Sequence, residues 1–148
     1  MLANSVLQNL DGTLKELLEK RQDLPDEEQN LSDDEIRLIF VQILLGVKNY
    51  HDMGILHEEL LLRKILVFRE NGGDIRVKVA DLLSFLMGAE KYKHAFHVNR
   101  DYMASTAPEV YDFGVFTKKA EVWPLGILLY SLCENGEPLL FGRPNQIK

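Results

Sequence analysis

The segment from residue 33 to residue 52 constrains the fold most, because its apolar residues recur at the spacing of a single long helix. Ser32 and Glu35 fit a capping box, in which each side chain accepts a hydrogen bond from the other residue's backbone N–H. The apolar stripe consists of Ile36, Phe40, Ile43, Val47 and Tyr50, with Ile39 and Leu44 beside it. We therefore predict a helix over residues 33 to 52 that buries one face and ends at the sequence "MGI".

Two further helices are predicted on either side of this segment. "LDGTLKELLEK" is typical of a short amphipathic helix, with Thr13 as N-cap and one stripe of leucines: Leu14, Leu17 and Leu18. A last helix is predicted from about residue 120 to residue 133, with Trp123, Leu128 and Leu129 facing inward. Pro124 falls in its first turn, where the missing amide has no helical partner, so its cost is small.

The remaining segments predict a hairpin and two loops. "KILVFRE" and "DIRVKVA" flank "NGG", a turn signal that favours positive φ. Residues 81 to 107 show no sustained period and read as a long loop, and residues 23 to 35 read as a solvated acidic loop. The expected class is α+β and mainly helical, with residues 33 to 52 packed against the last helix and the hairpin of residues 64 to 79 lying over them.

Composition excludes several classes of protein. Apolar residues make up 46% of the 148, which argues against disorder, and the net charge of −6 argues against a nucleic-acid partner. The lone cysteine, Cys133, has no partner for an internal disulfide, so a reducing, cytoplasmic compartment and a buried thiol are expected. No apolar run approaches the ~18 residues that span a bilayer, so no membrane association is expected.

Four sequence motifs, taken together, resemble those of a known protein family. "YHDMGILHEELLLRKILV", "VKVADLLSFL", "TAPEVY" and "EVWPLGILLYSL" occur in an order and at a spacing similar to the large, C-terminal lobe of eukaryotic-type protein kinases. The tyrosine-kinase branch and its relatives resemble the chain most, because Arg63 matches the arginine of their catalytic loop. The resemblance implies one truncated large-lobe domain over residues 1–148, with a β-hairpin and an activation-like loop. Nothing in the sequence matches the small lobe or the later helices.

The loop "HEELLLRK" departs from the kinase pattern at its charged positions. The resemblance aligns Glu59 with the catalytic Asp, one methylene longer, and a solvated loop carboxylate is the expected reading. It aligns Glu58 with the arginine that pairs with a phosphorylated activation loop, which a glutamate would repel. His57 matches the loop histidine and is expected in the core. Glu121 takes the place of an Asp that accepts hydrogen bonds from the loop backbone, which a longer acid can still do.

The positions that bind metal in kinases match only in part. Lys64 aligns with the metal-binding Asn, and an ammonium has no lone pair for Mg²⁺. We expect Lys64 to pair with a neighbour such as Glu59. Asp81 aligns with the first residue of D-F-G and is the only one of the kinase pattern's metal ligands that this sequence keeps. Asp81 would act as a ligand only if the chain binds Mg²⁺ at all. We therefore predict no cofactor, with weak Mg-ATP binding left open.

These mismatches predict a pseudokinase that is not an enzyme and has no catalytic residue. Its expected function is that of a binding or scaffold module, which contacts a protein partner or a second copy through exposed apolar surface. Two alternatives stay open. One is a structural subunit of a larger assembly, and the other is a weak or split phosphotransferase completed by another chain.

Overall fold

The computed structural model describes residues 9–69, 73–80 and 104–136. Its elements in chain order are β1 (Leu10–Thr13), α1 (Leu14–Gln22), α2 (Asp26–Gln29), α3 (Asp33–Asp52), a 3₁₀ turn (Leu62–Lys64), β2 (Ile65–Arg69), β3 (Ile75–Val79), α4 (Pro108–Phe113) and α5 (Val122–Cys133). Helices dominate and the strands form one small antiparallel sheet. The predicted α+β class is confirmed.

The predicted capping box of α3 is present, and the predicted N-cap Thr13 forms a second capping box. At the start of α3, Glu35 accepts from the backbone N–H of Ser32 at 2.8 Å, and Ser32 accepts from that of Glu35 at 3.2 Å. Thr13 and Glu16 make the same exchange at the start of α1. These pairs satisfy backbone donors that a helix leaves unpartnered, which fixes where each helix begins.

The sheet has the order β1-β2-β3, and both neighbouring pairs are antiparallel. The predicted hairpin is confirmed, with Val67 opposite Val77. Strand β1 was missed. It has only four residues, and its Gly12 has a φ of 125° that side-chain-bearing residues rarely adopt, so no alternating pattern marks it.

Helix α3 packs on β3 and against α5, as predicted. Gln42 joins α3 to β3, because its side chain accepts from the backbone N–H of Val77 at 3.0 Å and donates to the carbonyl of Ile75 at 3.3 Å. A Cβ on Gly46 would lie 2.7 Å from a methyl of Val79, so the helix approaches the sheet where it has no side chain. The buried stripe of α3 consists of Ile39, Ile43 and Val47.

Three side chains predicted to face inward do not lie in the core, and a fourth is only half-buried. Leu44 is 40% exposed and Leu129 is 36% exposed. Cys133 is exposed. Trp123 faces inward as predicted but is only half-buried: it packs against the small cluster of Ala107, Val110 and Ala120, and its indole donates to the carbonyl of Ala104 at 3.0 Å. The apolar runs were wider than the faces that these helices bury, so spacing alone placed too many residues inside.

The acidic segment of residues 23 to 35 is more ordered than a solvated loop. It contains α2, and Arg21 donates to Glu35 at 3.2 Å and to the carbonyl of Asn30 at 2.8 Å. Most of the predicted long loop, residues 81–103, lies outside the described residues. None of the helices within the described ranges combines the length and hydrophobicity that crossing a bilayer requires.

Candidate active site

The loop from His57 to Lys64 lies between the end of α3 and β2. Its first residue, His57, contacts both α3 and the residue that follows β3. The His57 ring is buried, as predicted, and its Nε2 lies 3.4 Å from the carbonyl oxygen of Ala80, just after β3. Tyr50 on α3 meets the same ring edge-on, with 5.3 Å between centroids. Glu58 has a φ of 63°, so the chain turns sharply there in a conformation that non-glycine residues rarely adopt.

Glu121, at the start of α5, anchors this turn. Its Oε1 accepts from the backbone N–H of Glu58 at 2.8 Å, which confirms the expected hydrogen bond. Its Oε2 contacts Nε2 of His51 on α3, and Lys118 donates to the His51 carbonyl at 2.6 Å. One buried carboxylate therefore ties the loop to two helices.

Glu59 is buried between two cations. Its Oε1 accepts from Arg63 at 2.5 Å, and its Oε2 lies 3.1 Å from Nζ of Lys64. The expected solvated carboxylate is wrong, since Glu59 is only 5% exposed. The expected pairing of Lys64 is confirmed. Glu59 is buried because Arg63 and Lys64 follow it by four and five residues, and the 3₁₀ turn places both cations against its carboxylate.

Glu59, Arg63 and Lys64 form a cluster of charged side chains. Two cations and one carboxylate leave one net positive charge, which favours an approaching phosphoryl oxygen. Glu58 is exposed and lies outside the cluster. Asp81 lies outside the described residues, and within the described part of the chain no three His, Cys, Asp or Glu side chains are grouped to hold a metal.

A cavity of about 300 Å³ opens beside the loop and was not predicted. Leu60 and Arg63 from the loop, Leu18 from α1, Ser105, and Ser131 from α5 contribute to its wall. Ser131 is 5% exposed. A hydroxyl within the apolar run "LGILLYSLC" was the signal that this face of α5 borders a polar space.

Comparison with known proteins identifies the family. The protein kinase domain family matches residues 6–147. Human serine/threonine-protein kinase ULK1 is 29% identical over 81% of this chain, and the putative mitogen-activated protein kinase 14C of Drosophila melanogaster is 35% identical over 70%. Mouse tyrosine-protein kinase Srms is 32% identical over 65%. The chain spans 12%, 27% and 18% of these relatives' lengths respectively.

These relatives contradict the prediction that the chain is not an enzyme. All three are named as protein kinases. The prediction counted mismatched residues one at a time, whereas the fold keeps a buried carboxylate at Glu59, two cations beside it and the Glu121 anchor beneath it. The correction rests on the family and the names of these relatives. The kinase order of motifs, the confirmed fold and the family match over residues 6–147 show that this chain belongs to the protein kinase domain family.

Proposed function

We propose that this chain forms the large-lobe part of a protein kinase and helps to transfer a phosphoryl group to a hydroxyl of a protein substrate. The observation that carries this proposal is the buried carboxylate of Glu59, held by Arg63 at 2.5 Å and Lys64 at 3.1 Å. The kinase names of the relatives support the same reaction class.

Three charged side chains at the site have roles in this proposal: Glu59, Lys64 and Glu121. Glu59 accepts the proton of the attacking hydroxyl, and Lys64 supplies positive charge close to the transferred phosphoryl oxygens. Lys64 cannot ligate a metal, because an ammonium carries no lone pair. Glu121 keeps the loop backbone in place through the N–H of Glu58. Phosphoryl transfer depends mainly on positioning and charge, which these contacts provide.

The phosphoryl donor in this proposal is Mg-ATP covered by a small lobe outside this sequence. The sequence has no G-x-G-x-x-G loop and no strand of the V-A-I-K type. The chain therefore works with a small lobe supplied by other residues of the same protein or by a second chain. The second case is the split phosphotransferase, completed by another chain, that the sequence left open as an alternative.

The test is transfer of labelled phosphoryl from millimolar Mg-ATP to mixed serine, threonine and tyrosine peptides, with and without a separately expressed kinase small lobe. We expect transfer that rises when the small lobe is added. Glu59→Gln is expected to lower the rate by about 10²–10⁴-fold, the usual contribution of a general base. Glu28→Gln, which changes an exposed carboxylate on α2, is the matched control. No transfer under any condition, or equal rates for both variants, would overturn the proposal.

Protein binding is a second candidate function. It is favoured by apolar side chains that are exposed to solvent: Met53 is 64% exposed, Phe113 is 76%, Val115 is 58% and Val122 is 65%. Exposed apolar area of this kind is typical of interaction surfaces. A monodisperse monomer at high micromolar concentration that binds no apolar dye would exclude this second function.

A further inference from the structure

Helix α3 carries two apolar stripes on opposite sides. The inner stripe faces the core and includes Ile39 and Ile43, both fully buried. Leu38, Val41 and Leu45 form the outer stripe and are 52%, 53% and 56% exposed. At 3.6 residues per turn, Val41 lies about 160° around the helix axis from Ile39 and Ile43. A helix that is apolar on opposite sides is typically buried on both, so the outer stripe requires a partner.

The outer stripe has the spacing of a helix–helix seam. Its members alternate by four and three residues, which is the pattern that keeps one line of side chains facing a neighbouring helix. The line continues beyond the apolar centre into charged residues at both ends. From first to last it reads Asp34, Leu38, Val41, Leu45, Lys48 and Asp52.

The charges at the two ends select the partner and its direction. A parallel copy would place Asp34 beside Asp34 and Lys48 beside Lys48, which repel. An antiparallel copy centred on Val41 places Asp34 opposite Lys48 of the second copy, twice by symmetry, and brings Leu38 within one residue of the position opposite Leu45. We infer that two copies of this chain associate through the outer stripe of α3, antiparallel about a two-fold axis at Val41. A self-complementary patch of this kind is what a two-fold dimer requires.

The ion pairs already present on α3 do not prevent this arrangement. Asp34 lies 3.5 Å from Arg37, with side chains 93% and 76% exposed, and Lys48 pairs with Asp52 in a similarly exposed position. Exposed pairs of this type contribute little to stability, so they can exchange partners. The inference deepens the second candidate function by naming the partner, and it does not depend on phosphoryl transfer.

The first test is the mass of the full chain in solution, measured by sedimentation equilibrium from low to high micromolar concentration. We expect a concentration-dependent species of twice the 17.0 kDa of one chain. Val41→Glu places like charges against each other on the axis and should weaken the dimer about tenfold or more. Val115→Glu, at an exposed apolar residue away from α3, is the matched control and should leave the dimer intact. Far-UV circular dichroism checks that each variant is folded.

Charge reversal tests the antiparallel direction. Asp34→Lys or Lys48→Glu alone should weaken the dimer, and both changes in one chain should restore it, because each end again faces the opposite charge. A chain that stays monomeric, a dimer that survives Val41→Glu, or a double variant that is not restored would overturn the inference. A monomer that still binds an apolar dye would overturn self-association while leaving the second candidate function standing.

Discussion

The carboxylate of Glu121 accepts a 2.8 Å hydrogen bond from the backbone N–H of Glu58, a residue 63 positions earlier in the chain. The contact joins the N-cap residue of α5 to the turn at Glu58 in the candidate active-site loop. Glu58 has a positive φ, and a residue in that conformation persists only where its surroundings hold it. Glu121 is therefore the group that keeps the loop in the geometry that Glu59 and Lys64 share.

Removing this carboxylate should destabilise the protein. Glu121→Ala leaves the Glu58 N–H and the His51 ring without their acceptor, and hydrogen bonds to charged groups contribute about 1.5–3 kcal/mol. We expect a loss of that size in the free energy of unfolding, measured by urea denaturation. Glu134→Ala, at the exposed far end of the same helix, is the control and should cost less than 0.5 kcal/mol or so. Equal costs for the two variants would show that the anchor contributes nothing.

Truncating a side chain of the inner stripe of α3 should lower the free energy of unfolding in proportion to the volume removed. Ile43 is fully buried in the core cluster that also contains residues of the sheet and of α5. Ile43→Val is expected to cost about 0.5–1.5 kcal/mol and Ile43→Ala about 2–5 kcal/mol of unfolding free energy. Val115→Ala, at an exposed site, should have little effect. Calorimetry or urea denaturation measures all three, and a tolerated Ile43→Ala would contradict the described core.

Stability should depend on pH through Glu35. Partial burial raises the pKa of its carboxyl, but hydrogen bonds from Ser32 and the charge of Arg21 outweigh it, so the pKa lies below the ordinary 4.5. A lowered folded-state pKa stabilises the fold above the unfolded-state pKa, and this stabilisation is lost as pH falls through the folded-state value. Glu35→Gln should cost about 0.3–1 kcal/mol at pH 7, with the cost shrinking below pH 4.5. A cost that is the same at pH 7 and at pH 3 would contradict this assignment.

Mg-ATP should bind this chain weakly when no small lobe is present. The sequence lacks the glycine-rich loop and the strand lysine that hold the phosphates in kinases, and Lys64 stands where a metal ligand does in the kinase pattern. We expect no saturable thermal shift below millimolar Mg-ATP. A shift of several degrees at micromolar Mg-ATP would show that the chain holds the nucleotide by itself.

Patterns that repeat over many residues made much of the fold predictable. Helix α3 has a capping box at Ser32 and a stripe that recurs over its full length, so its bounds could be read from the sequence. Strand β1 has four residues and a glycine, too few for any period to show. Leu129 and Cys133 were placed inside because an apolar run does not show which side of a helix other elements cover.

The sequence predicted where the candidate site lies in the chain, but it did not predict that Glu59 is buried. The order of motifs located the loop, and the hydrogen bond from the Glu58 N–H to Glu121 followed from the kinase resemblance. The burial of Glu59 did not follow, because a glutamate in a loop ordinarily faces water. Its enclosure depends on how the 3₁₀ turn brings Arg63 and Lys64 around it. The prediction that the chain is not an enzyme rested on the mismatched loop residues and the missing small lobe, and the family match and the kinase names of the relatives contradict it.

The most direct test of phosphoryl transfer at this loop compares Glu59→Asp with Glu59→Gln in the labelled-phosphate assay, with the small lobe present. Glu59→Asp keeps the carboxylate and restores the residue of the kinase pattern, whereas Glu59→Gln keeps the size and removes the charge. We predict that the Asp variant transfers phosphoryl at least as fast as the unmodified chain, and that the Gln variant loses about 10²-fold or more. Equal rates for the two variants, with both folded by circular dichroism, would contradict a catalytic role for the Glu59 carboxylate.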